Sequence, residues 1–131
     1  MTAPLKKEVI TTDKAPKAIG PYSVAVSTGQ MVFTAGQLGL DPVSGELVDG
    51  GIQAQTRQAL TNLQNVLEAA GTNLENVIKV TVFLKNMDEF SLMNATYAEF
   101  FLQDCPARSA IQAAALPKDG AVEIEVIAII P

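Results

Sequence analysis

Val122 to Ile130 alternates with the period of a strand, yet both of its faces are largely apolar. Val122, Ile124, Val126, Ala128 and Ile130 point one way; Glu123, Glu125, Ile127 and Ile129 point the other. A strand apolar on both sides belongs in the interior of a sheet that is covered twice. Helical periodicity elsewhere supports two long helices, enough for one face, and no third helix exists for the other. The second face is most easily covered by another copy of the chain, so this arithmetic predicts a homo-oligomer. Glu123 and Glu125 then lie on the face away from the helices, towards the neighbour.

The other elements follow from turn chemistry and spacing. A short strand is expected near Val9-Ile10, then an ordered loop through Ala15-Pro16-Lys17-Ala18-Ile19-Gly20-Pro21-Tyr22. Ser23 to Ser27 and Met31 to Ala35 read as a hairpin around Thr28-Gly29-Gln30, which Gly36-Gln37 ends. A glycine there is either a simple bend or a place where a backbone amide comes close to a neighbour or a ligand. After a loop over Leu40 to Gly51, Ile52, Ala59, Leu60, Leu63, Leu67 and Ala70 form one stripe of a helix running to Ala70, with Gly71 as its cap. Arg57 falls on its wet side and is given no role. Val77 to Lys85 reads as a strand with Ile78, Val80, Val82 and Leu84 as one apolar face and Lys79, Thr81 and Phe83 as a mixed one. Asn86 or Asp88 caps a second helix, Asp88 to Gln103, with Phe90, Met93, Tyr97, Phe100 and Phe101 inward as core packing. Ala107 to Ala114 is a further strand, and Leu116 to Gly120 turns into the last. The order predicts an α+β fold over residues 1–131 as one domain: a mixed sheet with two helices on one face.

Several functions are excluded by absence. The chain has no histidine and one cysteine, so Ser-His and Cys-His nucleophiles and His- or thiolate-ligated metals are ruled out. Net charge is -5 and the basic residues are scattered, so nucleic acid is an unfavoured partner. No apolar run is long enough for a membrane span or placed for a signal peptide. With one cysteine no internal disulfide forms, which fits a cytoplasmic setting. Chemistry here must come from carboxylates, arginine, lysine, hydroxyls, backbone amides and water.

Arg108 is the candidate centre of that chemistry. It lies in an apolar, extended run, Cys105-Pro106-Ala107-Arg108-Ser109-Ala110-Ile111. A guanidinium costs several kcal/mol, on the order of 3–5, to bury unpaired, so it holds either a carboxylate of its own protein or an anion that arrives. Its planar fork suits a carboxylate. Glu123 on a neighbouring strand could hold or activate water, and backbone amides near Gly36 and Ala110 could meet a polarised oxygen. That set suits water addition to an already electrophilic carbon. The alternative is a structural pair of Arg108 with Glu123 or Glu125, and the residues alone leave the two open.

Seven stretches, in order, carry a resemblance. They are Ala18-Ile19-Gly20-Pro21-Tyr22-Ser23, Thr34-Ala35-Gly36-Gln37, Leu40-Asp41-Pro42-Val43-Ser44-Gly45-Glu46, Asn94-Ala95-Thr96-Tyr97, Pro106-Ala107-Arg108-Ser109, Leu116-Pro117-Lys118-Asp119 and Val122-Glu123-Ile124-Glu125. Together they resemble the reactive intermediate deaminase (Rid, or YjgF) family, in particular its deaminase A subgroup. The resemblance implies a chorismate-mutase-like trimer with sites between subunits. It implies hydrolysis of 2-imino acids, such as 2-iminobutanoate and 2-iminopropanoate, to 2-keto acids and ammonia, without cofactor or metal. By position, Arg108 would clamp the carboxylate and Glu123 would place the water. Tyr22 would line the pocket, Gly36 and Ala110 would offer backbone groups, and Asn94 would shape the site. Many subgroup members have cysteine where this chain has Ala110, and Cys105 is not a replacement. Two other classes remain beside the enzyme: a small-carboxylate-binding or chaperone-like trimer, and a ribonuclease or translation inhibitor, which the acidic charge disfavours.

Overall fold

The computed structural model describes residues 4–131. In chain order the elements are β1 (Glu8–Ile10), β2 (Ala25–Ser27), β3 (Met31–Thr34), β4 (Gln37–Leu38), α1 (Gly51–Ala69), β5 (Val77–Leu84), α2 (Phe90–Tyr97), β6 (Ala107–Gln112) and β7 (Val122–Ile129). All the strands join one sheet in the order β1-β2-β3-β7-β5-β6, and β4 also pairs with β7. β5 and β6 run parallel, whereas β7 is antiparallel to β3, β4 and β5. This is the expected α+β architecture with a mixed sheet.

β7 occupies the middle because it can be buried from both sides. Val122, Ile124, Val126 and Ala128 are buried against the helices, while Glu123, Glu125, Ile127 and Ile129 line the open face. α1 lays Ile52, Ala59, Leu60, Leu63, Val66 and Leu67 onto the same core. The helix ends at Gly71, whose φ of 90° lies in the left-handed region that glycine enters without penalty. Arg57 is on its wet side and pairs with the exposed Glu99 at 3.0 Å.

Three expectations need correction. Gly36-Gln37 does not end the pairing: Gln37 and Leu38 add a two-residue strand opposite Ile124 and Glu123. Ile78 does not join the buried face of Val80, Val82 and Leu84. The β5–β7 register slips between Val77 and Lys79, and this bulge turns Ile78 to solvent while Val77, Val80, Val82 and Leu84 stay buried. α2 stops at Tyr97 rather than Gln103. The chain leaves it through short turns, Glu99 N–H to Thr96 O and Phe100 N–H to Tyr97 O, and so drops Phe101 into the core beside Tyr97. Asn86 does act as a cap, accepting from Asp88 N–H at 2.9 Å in the turn before α2.

The open face of the sheet carries Phe33 and Ile127, which pair across β3 and β7, with Ile129 beside them and Ile111 on β6. Phe33, Ile111 and Ile129 remain exposed in the single chain. Covering each such side chain is worth about 1.5–3 kcal/mol, so a few suffice to drive association. Phe33→Glu should therefore yield a smaller particle by light scattering with unchanged helical circular dichroism. An unchanged mass would show that this face is not the contact.

Candidate functional site

The parallel register of β5 and β6 pairs Arg108 with Val80 and Ala110 with Val82. Val80 and Val82 are fully buried, so Arg108 and Ala110 share the helix-covered face. There the guanidinium lies over the rings of Tyr97, 4.6 Å from its centroid, and Phe90, at 5.4 Å. Its Nη1 donates to Asn94 Oδ1 at 2.7 Å. Phe90, Asn94 and Tyr97 follow one another at spacings of four and three along α2, which places them on one side of that helix.

No carboxylate among the described residues pairs with Arg108. Among the described residues the ion pairs are Arg57–Glu99 and Lys85–Asp119. Glu123 and Glu125 pair with Phe83 and Thr81, on the opposite face of the sheet. A pairing of Arg108 with either acid within one chain is thereby excluded. Most of its fork is left facing a cleft of about 400 Å³ lined by Asn94, Tyr97, Ala98, Phe101, Cys105 and Pro106.

Ala110 adds a backbone donor to the same edge. Ala113 N–H donates to Leu84 O, and donors alternate along a strand, so Ser109 and Ile111 turn their N–H groups towards β5. By the same alternation the Ala110 N–H points to the outer edge of β6, where the sheet ends. Alanine supplies this group as well as cysteine would.

Tyr22, Gly36 and Glu123 gather at a second cleft, of about 570 Å³, with apolar walls from Val24, Leu38 and Leu40 and with Lys17 and Lys118 at its lining. The Tyr22 hydroxyl accepts from Ile19 N–H at 3.2 Å, a contact that sets the ring within its loop. Gly36 is there for closeness: a Cβ would stand 2.8 Å from the Glu123 carboxyl carbon. Partial burial holds the Glu123 carboxyl above its usual range, and the neighbouring Glu125 adds to the shift. Lys118 has φ of 56° and its Nζ donates to Gly45 O at 2.8 Å, tying the 41–46 loop to the edge of this cleft. Among the described residues no cluster of three or more His, Cys, Asp or Glu could hold a metal.

The expected residues thus fall into two half-sites, Arg108, Asn94 and Ala110 on one face and Tyr22, Gly36 and Glu123 at the other. What the residue pattern hid was the platform: Phe90 and Tyr97 read as core, and only their spacing about Asn94 on α2 hinted at a shared task.

The raised Glu123 pKa has a sign that can be checked. An acid held more tightly protonated when folded stabilises the fold at low pH, and that contribution is lost as pH rises through the folded value. Glu123→Gln should therefore raise the melting temperature at pH 7, with the gain shrinking as pH falls through the raised folded value and gone below about pH 4.5. Thermal denaturation at both pH values tests this; a melting temperature lowered at pH 7 would contradict it.

Comparison with known proteins supplies the context for these half-sites. A family model described as endoribonuclease L-PSP matches residues 12–130. A RutC family protein of Pyrococcus horikoshii is 55% identical over 122 residues, covering 93% of this chain and 97% of the relative. A Bos taurus protein named 2-iminobutanoate/2-iminopropanoate deaminase is 50% identical over 125 residues, covering 95% and 91% respectively. The solved structure of E. coli TdcF with bound serine superposes with a TM-score of 0.90 at 42% identity, covering 94% of this chain and 98% of that one. With a match along nearly its whole length, the chain belongs to the endoribonuclease L-PSP family, the YjgF/Rid group to which its motifs had pointed.

Proposed function

We propose that this protein hydrolyses reactive 2-imino acids, of the 2-iminobutanoate and 2-iminopropanoate type, to 2-keto acids and ammonia. The observation that carries the reading is the Arg108 fork, held in place and left without a carboxylate of its own. The deaminase name of the Bos taurus relative supports it, as does serine, itself an α-carboxylate, bound to a protein of the same fold.

The two half-sites lie on opposite faces of one sheet, so one chain cannot bring them to one substrate. In the proposed homotrimer, Arg108, Ala110 and Asn94 of one copy face the Tyr22, Gly36 and Glu123 cleft of the next. The substrate carboxylate lies in the plane of the guanidinium, with the Ala110 N–H beside it. Tyr22 lines the pocket, and the Gly36 backbone meets the polar end of the substrate. Glu123, with its raised pKa, is suited to exchange a proton. It takes one from water as the oxygen adds to the C=N carbon and passes it to the nitrogen, giving the carbinolamine. Glu123 then takes the hydroxyl proton and hands it to the nitrogen as the C–N bond breaks, so that ammonia leaves and the keto acid remains. The electrophile is already activated, so no metal or cofactor is needed for this step.

A second reading comes from the family description, which names an endoribonuclease. A net charge of -5 and the lack of any histidine, the usual general base, argue against it. A third reading, carboxylate binding without turnover, uses Arg108 equally well.

A coupled assay separates them. Threonine dehydratase releases the imine in situ and semicarbazide traps what remains. Wild type should speed keto-acid formation, and Arg108→Ala should lower kcat/KM by about a hundredfold with the oligomer intact. Saturable keto-acid binding with unchanged imine decay would replace the enzyme by a binding protein. RNA cleavage surviving Arg108→Ala would restore the ribonuclease.

A further inference from the structure

We propose that Tyr97 is a positioning residue for carboxylate recognition: its ring is the platform that fixes the plane of the Arg108 guanidinium. This deepens the reading above and rests on Arg108 being the carboxylate clamp.

A guanidinium on an edge strand has several rotatable bonds between its backbone and its fork, so something must hold it before a carboxylate arrives. A carboxylate of the chain would hold it best, but would also neutralise it and occupy the donors that a substrate needs. An aromatic face does neither. It attracts the cation through the π cloud, contacts the flat side of the group, and leaves the in-plane N–H edge open. The positions around Arg108 suit such an arrangement. Tyr97 lies 4.6 Å from the guanidinium carbon and Phe90 5.4 Å, while Asn94 takes a single hydrogen bond from Nη1.

Tyr97 is the better anchored of the two rings. It is buried, and it packs on Phe101 with ring centroids 4.6 Å apart, whereas Phe90 is only partly buried. The platform is therefore continuous with the core, and the cation is referenced to the rigid part of the fold. Among the described residues the buried Tyr97 hydroxyl has no well-formed hydrogen-bond partner, the Arg108 guanidinium being only close enough to interact with it, so packing places the ring. Burial, offset only in part by the nearby Arg108 charge, pushes that phenol up to about 12. Tyr97 stays neutral at working pH and does not become a phenolate that would compete for the guanidinium. Simple core filling does not predict coupling to Arg108, and that coupling is what distinguishes the two roles.

The test is calorimetric binding of 2-oxobutanoate, read beside imine turnover in the full protein. Tyr97→Met keeps the bulk and removes the π face. It should weaken carboxylate binding by about tenfold, raising KM more than it lowers kcat, and Tyr97→Phe should restore most of the loss. In an Arg108→Lys background, which has no planar fork to orient, Tyr97→Met should change binding by less than about twofold. Wild-type affinity in Tyr97→Met overturns the proposal, as does a loss that is undiminished in the Arg108→Lys background. If Tyr97→Met fails to fold, Phe90→Leu takes its place with a smaller loss, about threefold, and the same dependence on Arg108. Carboxylate binding with this pattern but no imine turnover would remove the enzyme reading and leave the platform standing. Turnover with no Tyr97 effect would do the reverse, and no measurable carboxylate binding by wild type would remove both.

Discussion

The pairing of β7 with three other strands is the constraint on which the rest depends. One row of its side chains closes the core beneath α1, and the other row, Glu123, Glu125, Ile127 and Ile129, is turned to the open face. A one-residue shift along such a strand would exchange the two rows, so its register is strongly determined by burial. Because β4 joins β7 at Ile124 and Glu123, the same pairing brings Gly36 against the Glu123 carboxyl. Core packing and one half of the proposed site are thus decided by one strand.

The other half depends on the opposite problem, a charge that must be held without being cancelled. β6 is an edge strand, and its pairing with β5 aims Arg108 under α2. Neutral groups receive it there: two aromatic faces and one amide oxygen. In the proposed site a substrate carboxylate would meet a cation that is already desolvated in part and already oriented, which would lower the ordering cost of binding. The two halves are separated by the thickness of the sheet. Association through the open face would cover Phe33, Ile111 and Ile129 and also supply the missing half, so assembly and function are linked in the proposed trimer.

Much of this was legible in the residue pattern, because burial writes itself as periodicity. The two-faced character of β7, the α1 stripe and the hairpin about Gly29 all follow from alternation or helical spacing. What escaped lay where local pattern and tertiary geometry diverge. Ile78 continues the alternation perfectly, and only the bulge against β7 turns it outward. Phe100 and Phe101 prolong a helical signal past Tyr97 although the chain has already turned towards the core. At the site, Arg108, Glu123, Tyr22, Gly36, Asn94 and Ala110 could be singled out by residue type and motif. Their division between two faces could not be, since it follows from the β5–β6 register, a long-range pairing. Phe90 and Tyr97 were read as core because an aromatic that packs and an aromatic that carries a cation leave the same periodic trace.

The central claim, that a working site takes Arg108 from one copy and Glu123 from another, is tested most directly by subunit mixing. Arg108→Ala and Glu123→Gln proteins are unfolded together in equal amounts, refolded, and assayed for imine hydrolysis beside each variant refolded alone. Each alone should be nearly inactive. In a randomly mixed cyclic trimer about a quarter of the sites combine an intact Arg108 with an intact Glu123, so about a quarter of wild-type activity should return. A mixture no more active than its components, although mass spectrometry shows mixed oligomers, would mean that both residues serve a site within one chain, and the account would be wrong.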